Sequence, residues 1–107
     1  MEQEFEIIIF ETYNDKEPYA EWLLSLDSTT RKRIMIKIAR LQVGNFGDCK
    51  QIDENIFELR CFFGPGYRIY FSQKQERTII LLCAGDKKSQ TKDIKKAKQY
   101  WKEYNEQ

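Results

Sequence analysis

A single turn constrains this chain most. Gly64-Pro65-Gly66 separates two short runs whose side chains alternate in character. Before it, Ile56 to Phe62 (IFELRCF) puts Ile56, Glu58 and Arg60 on one side and Phe57, Leu59 and Cys61 on the other. After it, Tyr67 to Phe71 (YRIYF) puts Tyr67, Ile69 and Phe71 on one side and Arg68 and Tyr70 on the other. Two period-two runs flanking a Gly/Pro cluster predict a β-hairpin. Gln73 to Arg77 reads as a polar turn, and Thr78 to Ala84 (TIILLCA) as an apolar strand inside a sheet, ended by Gly85. Three such strands need helices to cover them.

The flanking segments supply those helices. Phe5 to Thr12 (FEIIIFET) is a β-branched and aromatic run, predicted as a strand buried on both faces. Tyr13-Asn14-Asp15 reads as a turn, and Pro18 suits the first turn of a helix. Tyr19, Trp22, Leu23 and Leu26 then recur at helical spacing. Asp27-Ser28-Thr29 can cap a second helix, with Ile34, Ile38 and Leu41 on one face and Arg33, Lys37 and Arg40 on another. Gly44 is a stop signal, and residues 44–51 read as a loop. Ser89 or Thr91 can cap a last helix with Ile94, Ala97, Trp101 and Tyr104 as its apolar stripe. The predicted order is β-α-α-β-β-β-α. This is an α+β domain with a mostly antiparallel sheet, two N-terminal helices and one C-terminal helix. At 107 residues, positions 1–107 form one domain.

Composition excludes several chemistries. There is no histidine, which removes the commonest neutral-pH base, the commonest zinc ligand and every Ser-His or Cys-His pair. The three cysteines, Cys49, Cys61 and Cys83, lack CxxC spacing, so neither a disulfide framework nor a thiolate metal site is expected. Cys83 reads as a small core residue. No metal and no cofactor are expected. The acidic start MEQEFE is unlike a secretory signal, and the apolar stretch Thr78 to Gly85 is too short to span a bilayer. The expectation is a cytoplasmic protein with no membrane partner.

Net charge is only +1, but it is unevenly spread. Residues 1–30 hold one lysine against eight acidic side chains, residues 31–40 five basic and no acidic ones, and residues 86–102 seven lysines against two aspartates. Charge runs on helices are commonly just solvated faces. Here two basic blocks flank strands that carry further arginines. Arg60 and Arg68 fall on adjacent strands near the hairpin turn and are expected to converge on the solvent-facing side of the sheet. The segment Asp86-Lys87-Lys88-Ser89-Gln90 can bring further groups to the same end, with Lys92 just beyond. Guanidinium matches phosphate oxygens bidentately and stays charged, so Arg60, Arg68 and Lys87 make a candidate catalytic phosphate clamp. Lys88, Gln90 and Lys92 are candidate RNA contacts, and Tyr67 and Tyr70 offer base stacking or a phenol proton. The structural alternatives are a surface arginine or a partner for Glu58, and core or rim tyrosines.

The runs Phe57-Glu58-Leu59-Arg60, Gly64 to Phe71 (GPGYRIYF), Leu81 to Gln90 (LLCAGDKKSQ) and Asp93 to Trp101 (DIKKAKQYW) resemble the RelE/HigB-like toxin superfamily, in its addiction-module killer protein branch. The resemblance covers nearly the whole chain. It implies a RelE-like fold and the toxin half of a type II toxin–antitoxin pair. Many members cleave messenger RNA in the ribosomal A site without metal, by attack of the ribose 2′-hydroxyl on the adjacent phosphate. By this resemblance Arg68 matches the arginine on the scissile phosphate, and Arg60 a basic position one strand earlier. Lys87, Lys88 and Gln90 match the basic and polar residues between the last strand and last helix. The implied partners are the ribosome, messenger RNA and a cognate antitoxin of helix-turn-helix type. Relatives carry lysines just before the Leu-Arg pair; Ile56 and Glu58 stand there in this chain. The alternatives for the proton transfers are Glu58, Lys87 or Lys88, or groups lent by the ribosome. The alternative function is a non-nucleolytic toxin on the same fold, a gyrase poison like the ParE group.

Overall fold

The hairpin forms where the alternation places it. In the computed structural model, which describes residues 4–107, the elements are β1 (Glu6–Ile9), α1 (Pro18–Leu24), α2 (Ser28–Gln42), β2 (Cys49–Gln51), β3 (Phe57–Cys61), β4 (Tyr67–Lys74), β5 (Thr78–Gly85) and α3 (Gln90–Glu106). The first three residues of the expected 1–107 domain, Glu2 of the acidic segment among them, lie outside the described residues. Between β3 and β4, Gly64 and Gly66 take φ of 58° and 78°, and the Gly66 amide donates to the Phe63 carbonyl at 3.2 Å. These are left-handed positions that glycine fills at little cost, which is why the turn is written Gly-Pro-Gly.

The five strands run in the order β1-β5-β4-β3-β2. β1 pairs parallel with β5, and every other neighbouring pair is antiparallel. The α+β, mostly antiparallel architecture is therefore as expected. Three details differ. β1 is shorter than Phe5 to Thr12 because the chain leaves the ladder after Phe10, whose amide donates to the Leu81 carbonyl at 3.0 Å. Its two faces do both meet core, Ile7 on one side and Ile8 on the other, but as an edge strand it is only half-covered. β4 runs on to Lys74 instead of ending at Phe71, with buried Ser72 donating to the Asn55 carbonyl at 2.6 Å. Within the expected loop 44–51, Cys49–Gln51 forms the edge strand β2. Lys50 and Gln51 are exposed and polar, so no hydrophobic alternation announces it.

Both helical termini carry the expected chemistry. Asp27 Oδ2 accepts from the Thr30 amide at 3.1 Å and caps α2. At its other end the Gly44 and Asn45 amides return to the Leu41 and Arg40 carbonyls, with Gly44 at φ 89°. At seven residues α1 is too short to stand alone. Tyr19 buries it, and Arg31 donates to the Leu23 and Leu26 carbonyls at its C-terminal end.

The sheet separates two cores. On one face α1 and α2 contribute Tyr19, Ile34 and Leu41 against Leu59, Ile69, Phe71, Ile79 and Leu81. On the other, Ala97, Ile94 and Trp101 of α3 cover Ile56, Tyr70, Ile80 and Leu82. A bulge links the two. Tyr70 pairs with Cys83 and Phe71 with Leu81, leaving Leu82 as the extra residue of β5. Leu82 and Cys83 therefore both join the α3 core, and the alternation resumes with Ala84 on the opposite side.

The three cysteines are free thiols held in or against these cores. Burial pushes Cys49 and Cys61 up to about 11, Cys83 up to about 12 and the Tyr19 phenol up to about 12. Unfolded thiols and phenols ionise near 8.5 and 10. Above those values the unfolded chain loses protons that the native chain still holds, so stability is complete below about pH 8 and falls as pH rises towards 11–12. Urea denaturation at a series of pH values should show the midpoint dropping steadily above pH 9. A flat midpoint from pH 8 to 11 would contradict the burial of these groups.

Candidate functional site

The pairing of β3 with β4 sets Arg60 directly opposite Arg68. Opposed residues in an antiparallel ladder stand about 5 Å apart at Cα, and like charges there are destabilising unless something offsets them. Two residues earlier on the same face, Glu58 is opposite Tyr70 and is 2% exposed. Its Oε2 lies 3.5 Å from Arg68 Nε and accepts from Gln90 Nε2 at 2.9 Å. A buried carboxylate needs such partners. Arg68 is held a second time, its Nη1 donating to the Gly66 carbonyl at 3.2 Å. Its guanidinium is thus fixed at two points.

Arg60 has no carboxylate partner among the described residues. Its guanidinium lies 5.3 Å from the Phe62 ring centre, and its buried Nε has no hydrogen-bond partner. The Arg68 Nε and the Tyr70 hydroxyl are likewise buried without a hydrogen-bond partner, an uncommon state in a native fold. Lys87 reaches the same end of the sheet. A Cβ placed on Gly66 would lie 3.8 Å from Arg68 Nη1 and 3.9 Å from Lys87 Cβ, so the turn backbone runs between the two side chains. Arg68 and Lys87 therefore flank the Gly66 turn, and Arg60 stands opposite Arg68 on β3.

The setting of the two arginines differs from the expected solvent-facing side. Their face of the sheet is the one α3 packs against, and the Arg68 side chain is only 11% exposed. Gly85 makes this close approach possible. It pairs with Arg68, and a Cβ there would stand 1.9 Å from Asp93 Oδ2 and 2.6 Å from Ser89 Oγ. The first turn of α3 sits directly on β5. Ser89 Oγ bonds Asp93 Oδ2, and Asp86 Oδ1 accepts from the Ser89 amide at 3.1 Å. This turn brings Gln90 over Glu58.

The polar residues around the clamp divide. Lys87, Lys88 and Lys92 are exposed. Gln90 is committed to Glu58. Tyr70 is fully buried beneath α3, so its ring has no open side for a base. Burial, and then the neighbouring Glu58 carboxylate, push its phenol far above the ordinary range and keep it protonated. Tyr67 points to the other face, packed edge-on with Trp22 and Phe63 at 5.8 Å each. Both tyrosines are thus core or rim residues; burial overrode the stacking expected of them. Sequence reasoning missed Phe62, which is 66% exposed beside Arg60, and the Gly85–Asp93 approach. A large apolar residue at a strand end before a Gly-Pro-Gly turn was the available signal for the first.

What remains is a cationic end of the sheet, held by one internal carboxylate and suited to a dianionic or bridging phosphate. Among the described residues no group of three or more His, Cys, Asp or Glu side chains is placed to hold a metal ion, and no helix is long and apolar enough to cross a membrane.

Residues 21–102 match the family described as phage-derived protein Gp49-like, which is associated with the toxins of toxin–antitoxin modules. The match runs from the second half of α1 through most of α3 and so includes Arg60, Arg68 and Lys87. An uncharacterised protein of Haemophilus influenzae is 48% identical over 81 residues, covering 75% of this chain and 82% of its own length. With the arginine pair, the turn and the α3 contact all inside the matched span, this chain belongs to the Gp49-like family of phage-derived proteins.

Proposed function

We propose that this protein is the toxin of a type II toxin–antitoxin module and that it cleaves messenger RNA on the ribosome without a metal ion. The observation that carries the reading is the cross-strand Arg60–Arg68 pair with Lys87 beside it at the Gly66 turn. The family association and the resemblance to RelE/HigB-like toxins agree with it.

The chemistry follows from the charges. The ribose 2′-hydroxyl loses its proton and its oxygen bonds to the adjacent phosphorus. The bond from phosphorus to the 5′-oxygen of the next nucleotide breaks, and that oxygen takes up a proton. Between these events the phosphorane carries extra negative charge. Arg68, held by Glu58 and the Gly66 carbonyl, stabilises it with a guanidinium that needs little reorganisation, and Arg60 adds a second positive charge. Glu58 acts as a positioning residue: its carboxylate and the Gly66 carbonyl orient Arg68. Lys87, exposed at the rim, is the chain's own candidate for a proton transfer. Groups of the ribosome complete the set. Lys88 and Lys92 contact the RNA backbone. A helix-turn-helix antitoxin neutralises the protein.

Brief expression followed by mapping of messenger RNA 5′ ends, with plasmid supercoiling measured in parallel, tests this reading. New ends phased with codons, and unchanged supercoiling, are expected. Gyrase-dependent DNA breaks without new RNA ends would contradict it and favour a gyrase poison.

A further inference from the structure

A second basic surface begins where the arginine pair ends. Arg33, Ile36, Lys37 and Arg40 of α2 line an open groove of about 350 Å³ with Phe62 and Phe63 of the hairpin turn. No acidic side chain lines it, and among the described residues none of its three cations forms a salt bridge. Arg33, Lys37 and Arg40 recur at helical spacing, a stripe of about 10 Å along α2. Arg33 lies over the Phe63 ring at 3.8 Å from its centre. Phe62 is the hinge between the two regions. Arg60 covers its ring from one side, and at 66% exposure much of the ring is open to solvent.

We propose that this groove binds single-stranded RNA that continues from the linkage held by Arg60 and Arg68, with a base stacked on Phe62 and phosphates following Arg33, Lys37 and Arg40. Unpaired cations beside an open aromatic ring are what a single strand requires. The cations track its backbone, and an aromatic face accepts any base. An apolar peptide would leave the three charges unmatched. Continuity through the Arg60–Phe62 contact ties the groove to the clamp, and the inference rests on the ribonuclease reading of that clamp.

The test measures binding of the full chain to a labelled 12-nucleotide RNA, 2′-O-methylated so that it cannot be cleaved, and to the corresponding trinucleotide. Phe62→Ala should weaken 12-mer binding about tenfold. Phe62→Leu, which keeps the apolar bulk, should weaken it similarly, so that lost packing is not the cause. Lys37→Gln with Arg40→Gln should lower the slope of log affinity against log salt by about 1.4. The Lys37→Gln, Arg40→Gln variant should not alter trinucleotide binding, which Arg68→Ala should abolish. If the groove variants bind the 12-mer like the wild type while Arg68→Ala does not, the groove is not an RNA track, yet the clamp reading stands. If the wild type binds neither RNA, both readings fall. If the groove variants lose only binding of an acidic antitoxin segment, the groove is a protein interface and the proposal is wrong.

Discussion

Replacing Arg68 with alanine is expected to abolish growth arrest and to reduce messenger RNA cleavage by about 100- to 1,000-fold, the usual cost of removing one fixed donor from a developing oxyanion. The effect has two parts, and they separate. In the proposed clamp Arg68 offers charge to the substrate, and it also balances Glu58, which is 2% exposed and only 3.5 Å away. Removing one partner of a buried pair leaves the other uncompensated, at a cost of roughly 3–5 kcal/mol. Arg68→Ala alone should therefore lose both activity and stability. Adding Glu58→Gln removes the stranded charge. The double variant should regain most of the stability and none of the cleavage. Quantified 5′-end mapping beside thermal unfolding of the two variants checks this. Full-strength growth arrest by Arg68→Ala would refute the clamp.

A second large stability effect is expected at Gly85. Its φ is unremarkable; the space around it is not. A methyl group there meets Asp93 and Ser89 at distances no packed Cβ tolerates. Asp93 is 8% exposed and lies in the first turn of α3, so either the two side chains leave their mutual hydrogen bond or the helix terminus shifts off the sheet. Overpacking a rigid contact costs about 1–3 kcal/mol. Disturbing the Ser89–Asp93 and Asp86–Ser89 bonds adds to that. Gly85→Ala should lose on the order of 3 kcal/mol and about 10–20 °C in thermal midpoint. Gln90 sits on the same turn and donates to Glu58, so residual folded protein should also cleave poorly. Gly44→Ala makes a useful contrast, because its nearest contact is 3.9 Å away and only its positive φ opposes the change. An unchanged midpoint for Gly85→Ala would mean that α3 is not seated as described.

The strand pattern was legible because each strand side faces a different core. Phe57, Leu59, Ile69 and Phe71 went to α1 and α2, while Ile56 and Tyr70 went to α3. The caps at Asp27 and Gly44 were legible because they are local chemistry. Two things were not. The edge strand β2 carries polar, exposed side chains and is recruited by backbone pairing to β3, which leaves no periodic trace. The covering of the arginine face by α3 depends on contacts more than thirty residues apart, such as Gln90 to Glu58. Alternation correctly put Glu58, Arg60, Arg68 and Tyr70 on one side. It carries no information about whether that side meets water or a helix, and this is why Tyr70 reads as a base platform when it is in fact core. The β5 bulge at Leu82 is likewise invisible in an unbroken apolar run.

Arginine side-chain NMR measures the central arrangement most directly. With the guanidinium and ammonium nitrogens labelled, the full chain is titrated with a 2′-O-methylated trinucleotide. If one phosphate is shared by all three, as the proposed clamp requires, the resonances of Arg60, Arg68 and Lys87 should shift together along one binding curve. Shifts at only one of them, or separate curves for the two arginines, would show that no shared phosphate site exists at the Gly66 turn.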